Sequence, residues 1–180
     1  MKMKRLRKNA VRGMLAGAAG TAMLNLTTYA DVVVRDRPPS PLPEKVIGAI
    51  AKNADIGANR KTGLGALLGY FDGLGAGMLF GAIRPYARGV PWQVAGIALG
   101  VFTAVLSEGS ATALKQTDPR RWTAADWIAD MVPRCIYGWT TCVAFDNMRK
   151  RHGAGRASRT KEKATRAPAK RTAAETTTPA

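Results

Sequence analysis

Glycine recurs at every fourth position through the middle of this chain. Gly65, Gly69, Gly73, Gly77 and Gly81 lie within GLGALLGYFDGLGAGMLFGAI (residues 63–83), with Gly63 and Gly75 in addition and a single acid, Asp72. In water such a helix is poor, because each interior glycine costs about 1 kcal/mol relative to alanine. In a bilayer the same spacing is a packing surface, since small residues four apart let two helix backbones approach closely. A four-residue repeat advances about 40° per step on a 3.6-residue helix, so five glycines trace an arc of about 160°. An arc that wide suits contact with two neighbours, taken here as the apolar helices before and after it. Asp72, beside Gly73, then sits where space is smallest, which favours a packed central helix over the wall of an open pore.

Three further stretches are long enough to cross a hydrocarbon core of about 30 Å. The expected spans are residues 11–34, 63–83, 91–114 and 124–148, giving an all-α integral membrane four-helix bundle. The chain starts MKMKRLRKNAVR and turns apolar at GMLAGAAGTAMLNLTTYADVVV, like the start of a signal peptide. The apolar part is too long and too interrupted for cleavage, so an uncleaved first span is the better reading. Its Gly13, Ala16, Gly17 and Gly20 favour close packing, and Thr21, Asn25 and Thr28 form a polar stripe that should face protein.

The connector RDRPPSPLPEK (residues 35–45) has too much proline to continue a helix. EKVIGAIAKNA (residues 44–54) reads as a short amphipathic helix that either lies on the membrane surface or caps the bundle. In the third span Gly96 and Gly100 are again four apart. Thr123 with Asp126 makes a capping-box-like start for the fourth, and Pro133 should kink it. Residues 149–180 hold no aromatic or large aliphatic side chain and are expected to form a disordered basic tail.

The formal net charge of +16 sits mostly at the two ends. With both termini cytoplasmic, the inner segments carry eighteen Lys and Arg and the outer ones nine. The positive-inside rule therefore favours N-in, C-in. Trp92 then marks the inner interface, and Trp122 and Trp127 the outer one.

The ionisable residues within or bordering the spans are Asp31, Asp72, Glu108, Asp126, Asp130 and Arg134. A charge at the bilayer centre costs at least about 2.5–3.5 kcal/mol, so each should be partnered or line a wet cavity. Asp130 and Arg134 are four apart with the acid first, a favourable helical pair; Glu108 is the next partner for Arg134. Asp72 has no sequence-local partner, leaving a proton, a polar group of the first helix, or Arg134. The network reads in two ways, as a proton, ion or small-solute site or as a salt-bridge lock on helix register.

Other chemistries lack their residues. The only histidine, His152, lies in the tail, so no histidine triad or zinc site forms, and no glycine-rich phosphate loop is present. Cys135 and Cys142 are seven apart, two helical turns, too far for a disulfide; both read as small apolar packers. No catalytic residue, metal or cofactor is expected, and an enzyme is not the reading. Expected partners are the lipid bilayer, anionic lipid headgroups at the basic termini, and a second copy or a partner membrane protein, with no specific nucleic acid.

At GAAGTAML (residues 17–24) followed by RDRPPSPLPE (residues 35–44), the chain resembles small bacterial inner-membrane proteins of the YagU-like type. Their first span is likewise followed by a proline-rich segment. The resemblance covers residues 13–45. It implies an inner-membrane, multi-helix protein and brings no catalytic residue. Two functions fit these observations: a structural or assembly protein packing through small-residue faces, or a small channel or transporter using the carboxylates and Arg134.

Overall fold

The computed structural model describes the backbone of residues 2–175 apart from Arg37, residues 53–55 and Arg88, and the side chains of the same residues from 3 to 151. Among the described residues the protein is all-helical. Its elements are α1 (Lys2–Arg35), α2 (Leu42–Ile50), α3 (Ala58–Ile83), α4 (Trp92–Ala113), a 3-10 turn (Pro119–Arg121) and α5 (Ala124–Glu175). The chain divides into two compact units, Met1–Phe145 and Asp146–Ala180.

Helix limits follow local chemistry. α1 starts well before the expected residue 11, because Lys and Arg are good helix formers and nothing breaks the chain ahead of Gly13. It stops where Asp36 turns into the left-handed region (φ 48°) ahead of Pro38 and Pro39. α2 has proline in its first turn, where a missing N–H is harmless. α2 lies against the start of α3: Pro43 covers Gly65, and Thr62 Oγ1 donates to Glu44 Oε1 at 2.7 Å. It is shorter than the amphipathic segment read from sequence, whose last residues, Asn53 and Ala54, lie outside the described residues.

After α3, the buried Arg84 gathers the following turn, its Nη1 donating to the carbonyls of Ala87 (2.9 Å) and Val90 (2.8 Å). α5 opens on the reciprocal cap. Asp126 Oδ2 accepts from the Thr123 amide (2.9 Å) and hydroxyl (2.7 Å), and the Asp126 amide donates to Thr123 Oγ1. No disulfide joins Cys135 and Cys142. The expected disordered tail is corrected: helix continues past residue 148 to Glu175, because Ala, Lys, Arg and Glu favour helix even without an apolar face to bury. Residues 176–180 lie outside the described residues.

Within the first unit, glycine sets the packing. Gly13 and Gly17 of α1 meet Gly73, Gly77 and Gly81 of α3 backbone to backbone; a Cβ on Gly77 would lie 2.6 Å from the Gly17 Cα. α4 and α5 repeat the device, Gly138 against Gly96 and Gly100, with the Arg134 carbonyl 2.7 Å from where a Gly100 Cβ would stand. Gly20 lies under Tyr137 and Thr141, which brings α5 onto α1 as well. The four helices meet in a small core of Leu24, Ala76, Phe80, Leu99 and Tyr137, with Phe80 edge-on to Phe145 at 5.7 Å.

The α3 glycine positions do not pack between the apolar helices before and after it, α1 and α4, as expected. Gly73, Gly77 and Gly81 face α1, Gly65 faces α2, and Gly69 faces open space. α2 folds back onto the first turns of α3 and itself covers Gly65.

The buried positions are mostly small, whereas many large apolar side chains point outward, Phe71 being 70% exposed and Val105 66%. Two helices among the described residues, α3 and α4, are long and apolar enough to cross a membrane by length and composition. The expected spans in α1 and α5 fall short of that standard. Thr21, Asn25, Thr27, Thr28 and Asp31 dilute the first, and Asp126, Asp130, Arg134 and Asp146 interrupt the other.

Candidate functional site

Arg134 is the centre of the polar residues in the first unit. α5 carries it on the face turned toward α4, next to the close approach at Gly100. Its guanidinium fork grips Asp130 one turn earlier: Nε donates to Oδ2 and Nη2 to Oδ1, both at 2.8 Å. That two-point geometry is the one a planar guanidinium holds best. Nη2 also donates to Glu108 Oε1 of α4 at 2.9 Å, and Nη1 to the Thr103 carbonyl at 3.2 Å. One cation therefore ties α4 to α5 through two carboxylates and a backbone oxygen.

Glu108 is only 8% exposed. Its Oε1 receives Arg134 and, at 3.4 Å, the Ser107 hydroxyl, while its Oε2 is buried without a hydrogen-bond partner. Asp72 comes from α3, half-buried, where the Arg134 charge acts on it through space.

Of the six residues read from sequence as one network, Glu108, Asp130 and Arg134 join directly and Asp72 lies within their field. Asp31 pairs with Arg35 on its own helix at 2.7 Å, and Asp126 is engaged by Thr123 at the start of α5. Among the described residues, no three His, Cys, Asp or Glu side chains come together in a way that could hold a metal ion.

Two contributors escape the sequence reading. Thr103 enters through its backbone carbonyl, which no side-chain pattern reveals. Tyr137, one turn beyond Arg134, is 1% exposed and donates its hydroxyl to the Gly73 carbonyl at 2.6 Å, pinning α5 to the glycine face of α3. The signal was the i,i+3 spacing from Arg134, which puts an aromatic hydroxyl on the charged face. Tyr137→Phe should lower stability by about 0.5–1.5 kcal/mol, the usual net value of one hydrogen bond, read as an earlier unfolding midpoint in detergent.

Comparison with known proteins finds no matching family model, no matching curated protein and no matching solved structure.

Proposed function

We propose that the chain is a four-span protein of the bacterial cytoplasmic membrane with both termini cytoplasmic, and that the Arg134 cluster is the working site of a small transporter for protons or a small solute. The spans are α1, α3, α4 and the 124–148 part of α5. The observation that carries the reading is Glu108, a buried carboxylate gripped from another helix and left with one oxygen unbonded. A lock on helix register needs no such loose end. Buried ion pairs replaced by apolar residues of similar volume are often as stable or more so.

The outward placement of Phe71, Val105, Leu67 and Ile128 supports a lipid surround, and the YagU-like resemblance points to the same membrane. Anionic headgroups near the basic termini would add about 1 kcal/mol per Lys or Arg close to the surface. Purified protein in liposomes should carry a proton or ion flux above empty vesicles, lost in Glu108→Gln and reduced in Asp72→Asn. Wild-type flux equal to that of empty vesicles sinks the proposal.

The assembly reading keeps one observation of its own. Gly75 on α3 has open space where a side chain would stand, on one face with the exposed Phe71 and Leu79 four residues to either side. If this face meets a second copy, Gly75→Leu abolishes a crosslinkable dimer while the bundle stays folded; an unchanged crosslink, or none in the wild type, removes this reading.

A further inference from the structure

The hydrogen bonds around Arg134 leave a charge and an acceptor unmatched. Both oxygens of Asp130 are taken by the guanidinium, as is Oε1 of Glu108. Glu108 Oε2 is left, buried and without a donor. Among the described residues, α3 and α5 bring charged groups toward α4. From α3 comes Asp72, and from α5 come Asp130 and Arg134, with Asp126 held by Thr123 a turn before Asp130. Among the described residues the only cation bound directly to Glu108 and Asp130 is thus one guanidinium, and a third carboxylate stands in its field.

Carboxylate charge in excess of its cation, in a low-dielectric interior, is expensive. An orphan acceptor oxygen adds the cost of an unmade hydrogen bond, about 1–3 kcal/mol. A metal ion would answer both, but among the described residues the carboxylates do not converge on one point. A single proton removes the excess negative charge and needs no further ligand.

We propose that Glu108 Oε2 is a proton-binding atom, exchanging one proton with water as the site works; this names the substrate of the transporter reading above and rests on it. The step forms one O–H bond on uptake, Glu108 carboxylate plus a proton from water giving the carboxylic acid, and breaks it on release. Nothing is oxidised or reduced. Arg134 stays charged throughout and holds Oε1, so Oε2 remains the atom free to change state.

The test is infrared difference spectroscopy of the full-length protein in lipid during pH jumps, following the carbonyl stretch of protonated carboxyl groups. Wild type and Asp72→Asn should both show a titrating band that is missing from Glu108→Gln. A band that survives Glu108→Gln, or one that vanishes only in Asp72→Asn, overturns the assignment. Should Glu108→Gln fail to fold, carbodiimide labelling of wild type answers the same question, because the reagent adds only to a protonated carboxyl. Mass spectrometry should find the label on Glu108, fading as pH rises; no label there overturns the proposal. The transporter reading fails separately: a titrating Glu108 without flux removes transport and leaves the proton site. Flux that is present in wild type and lost in Glu108→Gln, with no titrating Glu108 band in wild type, does the reverse.

Discussion

One methyl group added at Gly77 is expected to cost stability, and the same methyl at Gly69 to add it. Both glycines belong to the same four-residue repeat on α3. A Cβ at Gly77 would sit 2.6 Å from both the Gly17 Cα and the Gly13 carbonyl oxygen, and backbone atoms cannot swing aside as a side chain can. α1 and α3 must then separate, which strips contacts along the whole Gly13–Gly81 seam. Overpacking of this kind costs about 1–3 kcal/mol, and the rigid neighbours place Gly77→Ala at the upper end. At Gly69 nothing lies within 4 Å of the added carbon. There the substitution removes a flexible helix-interior glycine and should gain up to about 1 kcal/mol. Denaturant unfolding in detergent, followed by circular dichroism, should show the two midpoints moving in opposite directions. Equal shifts would mean that the α1–α3 seam is not where the helices meet.

That contrast marks how far the sequence could be read. Periodicity tells which residues share a helix face, so the glycine seam, the four long helices and the Thr123–Asp126 cap were all legible. It does not tell what a face meets, so Gly69 and Gly77 looked equivalent and α2's claim on Gly65 was invisible. The same limit applies to the charges. Asp130 and Arg134 were readable as a pair because four residues on one helix fix their distance. Glu108 could be named only as a further candidate, since its approach depends on how α4 crosses α5 at Gly96, Gly100 and Gly138. Asp31 and Asp126 join the cluster in sequence only by lying within or beside the spans, whereas nearer groups, Arg35 and Thr123, engage them. The tail was misread for the opposite reason. Lack of apolar residues argued against a core, and local helix propensity needs no core.

Arg134→Met is the substitution from which the largest loss is expected, because it removes the positive charge and leaves its acids in place. Glu108 and Asp130, each now holding one of the guanidinium's hydrogen bonds or two, would face each other across α4 and α5 with the Asp72 charge nearby. Breaking a buried pair from one side costs about 3–5 kcal/mol, mostly the penalty of stranded charge rather than the value of the lost bonds. Arg134→Lys should recover only part of this, since an ammonium cannot span both oxygens of Asp130 while also reaching Glu108. The source of the loss can be isolated by adding Glu108→Gln and Asp130→Asn to Arg134→Met. If stranded charge is the cause, the triple variant is more stable than the single one, and unfolding midpoints measured side by side show it. A triple variant no better than Arg134→Met would place the cost in lost packing instead. The comparison also bears on purpose. A neutral triple variant that folds as well as wild type but carries no proton flux would mean that stability does not require these charges. What keeps four ionisable side chains in so tight a bundle would then be the work done at Glu108.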